Sequence, residues 1–304
     1  MISTEALTRR FGTFTAVDAV TLDIADGEVF GLLGPNGAGK TTTLRMLAGL
    51  IGVTSGRALV DDLDVRVPAE AAQVRARLGL LPEEPGLYPD LTVRETLDFF
   101  ARLQHVPDRR RRVDDLLERL ALADRAGARV ATLSKGWKQR LALARALVNA
   151  PRIVFLDEPT ANLDPEASQE VRGIIRDLRD RGCTVVLNTH RLEEVERTCD
   201  RVGILRTRLL AIAEPRALRR AAGGGPAMIG LEHVDAHLIA AVATRLGVQP
   251  EVREDGIVVP SAPERSMADV VAAVVGAGGR VTRAVVAESS LEDAYLEVLR
   301  DATG

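Results

Sequence analysis

The chain has 304 residues, 46% of them hydrophobic, and a formal net charge of −3. This length allows one large or two ordinary domains, and the near-neutral charge excludes an overall basic surface for nucleic acid. Two cysteines give no disulfide framework, which favours a reducing compartment. No apolar stretch reaches 18 residues without a charge, and no signal peptide is evident. We therefore expect contact with a membrane only through a second chain.

Residues 1–33 are predicted to form short strands, with Asp26-Gly27 as a turn signal between two of them. Phe11 lies in this region, in the sequence Arg-Arg-Phe-Gly. Its flat ring can stack on a purine base or fill a core at the end of a strand. The local sequence by itself favours the core position.

A glycine-rich loop follows the apolar run 28–33, which is predicted to be a buried strand, and precedes a helical stretch from Thr41 to Leu50. The loop and the residue after it are Gly34, Pro35, Asn36, Gly37, Ala38, Gly39, Lys40, Thr41 and Thr42. This fits G-x-x-x-x-G-K-[ST], the P-loop, and the strand–loop–helix context is the one that the motif requires. A chance glycine-rich turn would lack that context.

The residue types of the loop explain how it binds phosphate. Glycines allow backbone N–H groups to approach phosphate oxygens, and the helix directs its positive dipole end at the same anion. Lys40 supplies a charge for the β- and γ-phosphates, and Thr41 supplies a hydroxyl for Mg²⁺. The sequence therefore predicts a nucleotide site.

The next segment is predicted to contain a strand at residues 57–60, a helix at 68–77 and a strand at 78–81. Helical periodicity then extends from Thr92 to about Leu122. The four arginines 109–112 are expected to be the solvated start of a helix after Pro107, with a phosphate or lipid patch as the alternative. Ser134, in a polar loop before a further helix, can be an ordinary cap or part of an anion site.

Two apolar strands end in polar residues that suit catalysis. Residues 153–156 lead into Asp157 and Glu158, and residues 184–188 are followed by His190. Ligands bind at the carboxyl ends of parallel strands in doubly wound sheets. Asp157 is placed to hold Mg²⁺, and Glu158 to orient or deprotonate water. His190 can be structural or functional on this pattern alone.

A flexible break, Ala222-Gly223-Gly224-Gly225-Pro226, is predicted to separate the C-terminal region. The order there is β-α-β-β-α-β, with a hairpin through Asp255-Gly256, which predicts a small ferredoxin-like α+β domain. His233 and His237 have an i, i+4 spacing but no third ligand nearby, so we do not expect a metal site.

Taken in order, these motifs resemble the nucleotide-binding subunit of an ATP-binding cassette (ABC) transporter, over about residues 2–220. The decisive element is Leu133-Ser134-Lys135-Gly136, which a P-loop kinase would lack. The tail, with residues 290–296, resembles the extension of drug-exporter-type ATPases. The resemblance implies an ATP-binding domain at 1–222 with a helical subdomain at about 83–150, and an accessory α+β domain at 226–304. The implied α/β fold combines an antiparallel β subdomain with a RecA-like parallel core.

The resemblance also implies roles for single residues. Phe11 falls where the family keeps an aromatic ring that stacks on adenine. Ser134 and Gly136 would contact the γ-phosphate of ATP held by a second subunit, and Asp164 would lie at the dimer seam.

Catalysis would be carried by Glu158 as general base and His190 as sensor of the γ-phosphate. Two positions depart from the family pattern. Glu83 stands where glutamine is usual, near Mg²⁺ and the attacking water, and would add negative charge there. Lys135 replaces the usual first glycine of the signature. Neither change removes a group that the mechanism needs.

The implied function is hydrolysis of Mg–ATP by a homodimer that powers export through separate transmembrane permease subunits. The chain would lie at the cytoplasmic face of the cell membrane and contact it only through the permease, without nucleic acid. The alternatives are an importer ATPase, a soluble ABC ATPase on ribosomes or DNA, a small-molecule kinase and a non-catalytic regulator. One P-loop and no long heptad pattern argue against the soluble class.

Overall fold

The computed structural model describes residues 1–221, 225–260, 265–287 and 289–302. By their internal contacts the residues divide into two compact units, Met1–Glu214 and Pro215–Gly304. The first three residues of the predicted break, Ala222-Gly223-Gly224, lie outside the described residues. No helix in the described part of the chain is long and apolar enough to cross a bilayer.

The first unit contains ten strands and seven α-helices among its described residues. The strands are β1 (Ile2–Phe11), β2 (Phe14–Ile24), β3 (Val29–Leu33), β4 (Ser55–Val60), β5 (Leu63–Asp64), β6 (Leu78–Leu81), β7 (Ile153–Asp157), β8 (Thr184–Thr189), β9 (Arg201–Arg206) and β10 (Arg208–Ala213). The helices are α1 (Lys40–Leu47), α2 (Pro68–Arg77), α3 (Val93–Leu103), α4 (Arg109–Arg119), α5 (Lys135–Ala146), α6 (Pro165–Asp180) and α7 (Leu192–Thr198). The strand and helix predicted at 78–81 and 68–77 are confirmed.

Two sheets organise this unit. An antiparallel sheet has the order β2-β1-β4-β5, and a six-stranded sheet has the order β10-β9-β3-β8-β7-β6. In the second sheet the neighbouring strands are parallel, except that β10 is antiparallel to β9. Strands β3, β7 and β8 are buried along their whole length, which explains their continuous apolar sequences.

Alternate residues of the parallel strands enter two different cores, as the period of two in a strand requires. On β7, Val154 and Leu156 join a core with the helices α3 to α6. Ile153 and Phe155 join a second core with the antiparallel sheet and α1. The six-stranded sheet is therefore covered on both faces, and its carboxyl edge is left to carry the site.

The structure moves the predicted end of α1 and confirms the predicted start of α4. Helix α1 ends at Leu47 rather than at Leu50, because the Leu50 N–H turns back to Arg45 O at 2.9 Å. The arginine run begins α4 as predicted, and Arg110 and Arg111 are exposed. Arg112 is half-buried and donates to the carbonyls of Leu147 and Val148, at 2.5 and 3.1 Å, where α5 has ended.

The second unit begins with α8 (Pro215–Ala221). Its other elements are β11 (Ala227–Leu231), α9 (Ala236–Leu246), β12 (Glu251–Arg253), β13 (Gly256–Val259), α10 (Met267–Gly276), β14 (Val281–Val286) and α11 (Leu291–Asp301). The predicted order β-α-β-β-α-β is confirmed from β11 to β14, and the antiparallel sheet has the order β12-β13-β11-β14. The predicted hairpin turn was wrong by one residue. Arg253 pairs with Gly256, so that Glu254 and Asp255 form the turn and Gly256 already belongs to the strand.

Candidate functional site

A cleft of about 810 Å³ lies at the carboxyl edge of the parallel strands in the first unit. It is where the loops after β3, β6, β7 and β8 meet. Its lining residues are Phe14, Ala16, Asn36, Gly37, Ala38, Gly39, Lys40, Thr41, Thr42, Glu83, Asp157, Glu158, Ala161, Asn162, Leu163, His190 and Arg191. Most of the predicted nucleotide and metal residues are thus brought together.

The P-loop is held in place by close backbone contacts. A Cβ atom at Gly34 would lie 2.2 Å from Leu205 O. Gly39 has a φ of 97°, and a Cβ there would lie 2.5 Å from Ala16 O. Both positions therefore need glycine. The N–H of Thr207 donates to Ala38 O at 2.9 Å, which fixes the loop against the β9–β10 turn.

Lys40 is the first residue of α1 and points back over the loop. Its Nζ donates to Gly34 O at 2.7 Å and to Pro35 O at 3.2 Å. Burial lowers the pKa of Lys40, and the nearby carboxylates of Glu158, Asp157 and Glu83 counteract this by favouring the ammonium form. The cation at the start of a helix, surrounded by loop N–H groups, suits a polyphosphate.

Asp157 ends β7 and is buried beside Asn188 of β8, its partner in the parallel register. Asn188 Nδ2 donates to Asp157 Oδ1 at 3.1 Å, while Asn188 Oδ1 has no hydrogen-bond partner among the described residues. From the sequence, Asn188 was predicted only to end a strand. The available signal was a polar residue closing the apolar run 184–187 beside a predicted active-site strand.

Glu158 and His190 form a pair across the ends of β7 and β8. His190 Nδ1 lies 2.8 Å from Glu158 Oε1. The side chain of Glu158 is only 10% exposed, whereas that of His190 is 53% exposed. Glu158 has a φ of 50°, and its N–H donates to Asn188 O at 2.9 Å. Its second oxygen, Oε2, is buried without a partner among the described residues. One oxygen of this shielded carboxylate is thus held by His190, and the other is left without a partner among the described residues.

The aromatic residues of the β1–β2 hairpin are arranged differently from expectation. Phe11 and Phe14 pair with each other at the ends of the two strands. Phe14, which the sequence analysis missed, lines the cleft, and Phe11 is not among its lining residues. The Phe11 ring is 47% exposed, with the guanidinium carbon of Arg9 4.3 Å from its centroid. Phe11 is therefore solvated, not a core residue.

Ser134, Gly136 and Asp164 lie outside the lining of this cleft. Ser134 is the N-cap of α5 and accepts from Trp137 N at 3.5 Å. Asp164 is the N-cap of α6 and accepts from Ala167 N at 2.8 Å. Both side chains are exposed. A single chain therefore does not bring them to the nucleotide residues that it carries itself.

Helix α5, which begins after Ser134, contacts the loop after β7 in its own chain. Gln139 Nε2, on α5, donates to the carbonyl oxygen of Pro159 at 2.7 Å, and Pro159 directly follows Glu158. Arg140 of the same helix forms an ion pair with Glu170 of α6. Helix α5 is thus hydrogen-bonded to the loop that carries Glu158.

Comparison with known sequences identifies the family. The model of the "ABC transporter" family matches residues 17–161. A "Nod factor export ATP-binding protein I" of Paraburkholderia xenovorans is 44% identical over 220 residues, which are 71% of this chain and 72% of that protein. The chain belongs to the ATP-binding proteins of ABC transporters. The corresponding protein of Bradyrhizobium diazoefficiens is 44% identical over 213 residues, 69% of each chain.

Solved structures of ABC proteins have the same fold. One of them is the ATP-binding cassette MJ0796, a dimer in a post-hydrolysis state bound to ADP and Pi. It superposes with a TM-score of 0.64 at 27% identity, and the match covers 70% of this chain and 98% of the cassette. Another neighbour is cbiO1 of Clostridium perfringens, part of the transporter complex cbiONQ. It has a TM-score of 0.67 at 27% identity and covers 81% of this chain and 95% of that one. The predicted fold, an ABC cassette built on a P-loop NTPase core, is confirmed, and this ABC protein is an ATPase.

Proposed function

We propose that this ABC protein is the ATP-hydrolysing subunit of an exporter whose membrane permease is a separate chain. The observation that carries the proposal is the Glu158–His190 pair, 2.8 Å apart, in the same cleft as the P-loop lysine Lys40. The carboxylate that would activate water, the histidine that orients it and the phosphate-binding loop therefore all line the same cleft. Export is supported by two relatives, each 44% identical, that are Nod factor export ATP-binding proteins.

The chemistry is phosphoryl transfer to water. The N–H groups of the P-loop and Lys40 bind the phosphates, and His190 contacts the terminal one. Glu158 accepts a proton from the attacking water with its buried carboxylate. In this reaction catalysis consists mainly of positioning and charge stabilisation, which explains why the site is built from backbone loops at the edge of a rigid sheet.

The residues of the cleft also fit a Mg²⁺ ion. The carboxylates of Asp157 and Glu83 and the hydroxyl of Thr41 line the same cleft, and oxygen atoms are the ligands that this ion prefers. Thr41 and Asp157 would hold the ion, with Glu83 beside it. When bound, Mg²⁺ neutralises charge on the phosphate oxygens.

We propose that the working form is a homodimer in which two copies complete each other's sites. Support comes from the exposed caps Ser134 and Asp164, which lie outside the cleft of their own chain, and from the dimeric state of a similar cassette. Ser134 and Gly136 of one copy would contact the γ-phosphate held by the other. ATP would then favour the dimer through its higher affinity for the closed state.

The proposal also includes the domain boundaries, the segment that docks the permease and the location of the protein. Residues 1–222 would form the ATP-binding domain, with a helical subdomain at about 83–150 whose segment 81–122 docks the permease. Residues 226–304 would form an accessory α+β domain. The protein would lie at the cytoplasmic face of the membrane, held there by the permease.

The test is the Glu158→Gln variant, assayed for ATP binding, hydrolysis and association. We expect it to bind Mg–ATP, to lose about 10²- to 10⁴-fold in turnover, and to accumulate as a dimer in sedimentation velocity. Full turnover would refute Glu158 as the base. Reconstitution with the permease in vesicles, scored for ATP-dependent movement of substrate away from the ATP side, distinguishes export from import.

A further inference from the structure

One buried carboxyl group next to the cleft has no role in the chemistry described so far. Glu194, on α7, is 1% exposed. Both of its carboxyl oxygens are shielded from solvent, and neither makes a hydrogen bond of standard geometry with a described residue. Burying a carboxyl group without full partners is costly. The position therefore needs an explanation from its surroundings.

The hydroxyls of Thr160 and Thr189 face this carboxyl group, and both threonines are fully buried. Each threonine oxygen already accepts a hydrogen bond from Arg191. Its guanidinium donates to Thr160 Oγ1 at 3.2 Å, and its backbone N–H donates to Thr189 Oγ1 at 3.1 Å. Because a hydroxyl can accept and donate at once, both threonine protons remain available to Glu194.

The two threonines flank the catalytic pair in sequence. Thr160 follows Glu158 by two residues, and Thr189 directly precedes His190. A carboxyl group that accepts both hydroxyls would therefore join the loop after β7 to the end of β8. It would restrict how far the Glu158 and His190 loops can separate.

We propose that Glu194 is a positioning residue for ATP hydrolysis: it accepts the hydroxyl protons of Thr160 and Thr189 when nucleotide closes the site, and so holds Glu158 and His190 together. This rests on the proposed function in taking Glu158 as the base. The contacts in the structure fall short of standard geometry, as catalytic contacts commonly do before substrate is bound. Nucleotide binding then needs only to tighten contacts that are already in place.

The electrostatic surroundings determine which substitution preserves the role. Burial raises the pKa of Glu194, the neighbouring threonines lower it, the Glu158 carboxylate raises it, and Arg191 lowers it. The neutral acid and the carboxylate both retain an oxygen that accepts hydrogen bonds. Glutamine retains such an oxygen in a side chain of the same length, whereas alanine removes it.

The experiment compares Glu194→Ala, Glu194→Gln, Thr160→Val and Thr189→Val in the full-length chain, with steady-state ATPase kinetics. We expect Glu194→Ala to lower kcat about 100-fold, the loss typical of a misplacement by about 1 Å. KM should stay within about threefold, since the phosphate cradle is untouched. Glu194→Gln should recover most of kcat. Each valine variant should lower kcat, because it removes one hydroxyl without changing the shape of the side chain.

The matched control is Glu193→Ala, on the same helix, whose exposed side chain pairs with Arg197 and should leave both constants unchanged. Wild-type kcat in Glu194→Ala would overturn the proposal, as would Glu194→Gln being as slow as Glu194→Ala, or a loss confined to KM. Should Glu194→Ala fail to fold, the glutamine and valine variants decide. Full turnover of Glu158→Gln in the same assay would instead refute the base assignment, so the two failures are distinguishable.

Discussion

His190 Nδ1 lies 2.8 Å from Glu158 Oε1, although the two residues are 32 positions apart in the sequence. The contact exists because β7 and β8 are parallel neighbours and both loops leave the sheet at the same edge. One partner is shielded and the other is exposed. The exposed ring of His190 thus holds one oxygen of a carboxylate that is itself shielded from solvent.

The first prediction concerns this contact. His190→Ala should lower kcat about 10- to 100-fold, because Glu158 loses the group that orients it, and should also weaken ATP binding, because the terminal phosphate loses a contact. Steady-state ATPase kinetics and equilibrium nucleotide binding check the two quantities. His237→Ala, an exposed histidine of the second unit, is the control. Unchanged kcat in His190→Ala would show that the contact has no catalytic role.

The second prediction concerns the phosphate cradle. Lys40→Ala should weaken ATP binding about 10- to 100-fold, because a hydrogen bond to a charged group is worth about 1.5–3 kcal/mol. Arg45→Ala removes an exposed cation from the same helix and should leave the affinity unchanged. Binding is measured with a fluorescent ATP analogue or by calorimetry. An unchanged affinity of Lys40→Ala would contradict the assignment of the loop.

The third prediction concerns Glu83. Its carboxylate lines the cleft and is among the charges that favour the Lys40 ammonium. In Glu83→Gln, the Mg²⁺ concentration at half-maximal ATPase activity should rise about three- to tenfold, because a charge that attracts the ion is lost. The Mg²⁺-free affinity for ATP should increase, because a charge that repels phosphate is also lost.

Titrations of Mg²⁺ and of ATP in EDTA measure these two changes. Glu84→Gln is the matched control, since Glu84 is the exposed neighbour outside the cleft lining. If both titrations of Glu83→Gln coincide with those of Glu84→Gln, Glu83 acts on neither the ion nor the phosphates.

The fourth prediction separates two candidate platforms for adenine. If Phe11 stacks on the base, Phe11→Ala should weaken ATP binding about tenfold, since base stacking on an aromatic ring is worth about 1–3 kcal/mol. Phe14→Ala should then have a smaller effect. Binding of ATP and of inorganic triphosphate is compared, because only ATP carries a base. A loss of ATP affinity found in Phe14→Ala alone would move the platform to the ring that lines the cleft.

Local sequence was enough for the elements whose signals are strong. Pro68 begins α2, and the apolar residues 78–81 form β6 as predicted. The P-loop could be identified because its glycines, Lys40 and Thr41 are contiguous, so that no tertiary information is needed to bring them together. The end of α1 was predicted three residues too late, and the turn before Gly256 one residue too late. The same residues are compatible with more than one helix end or hairpin turn, so local sequence did not fix the exact position.

The sequence by itself named Lys40, Asp157, Glu158 and His190 as candidates from motif order, and the structure places all four in one cleft. Only the tertiary structure decided that Asn188 bonds to Asp157, and that Thr160 and Thr189 face Glu194. The physical reason is that pairing of β7 with β8 fixes which side chains meet. The register of a parallel sheet depends on segments that are far apart in the chain. The residues next to Glu194 in the sequence therefore do not indicate that it faces Thr160 and Thr189.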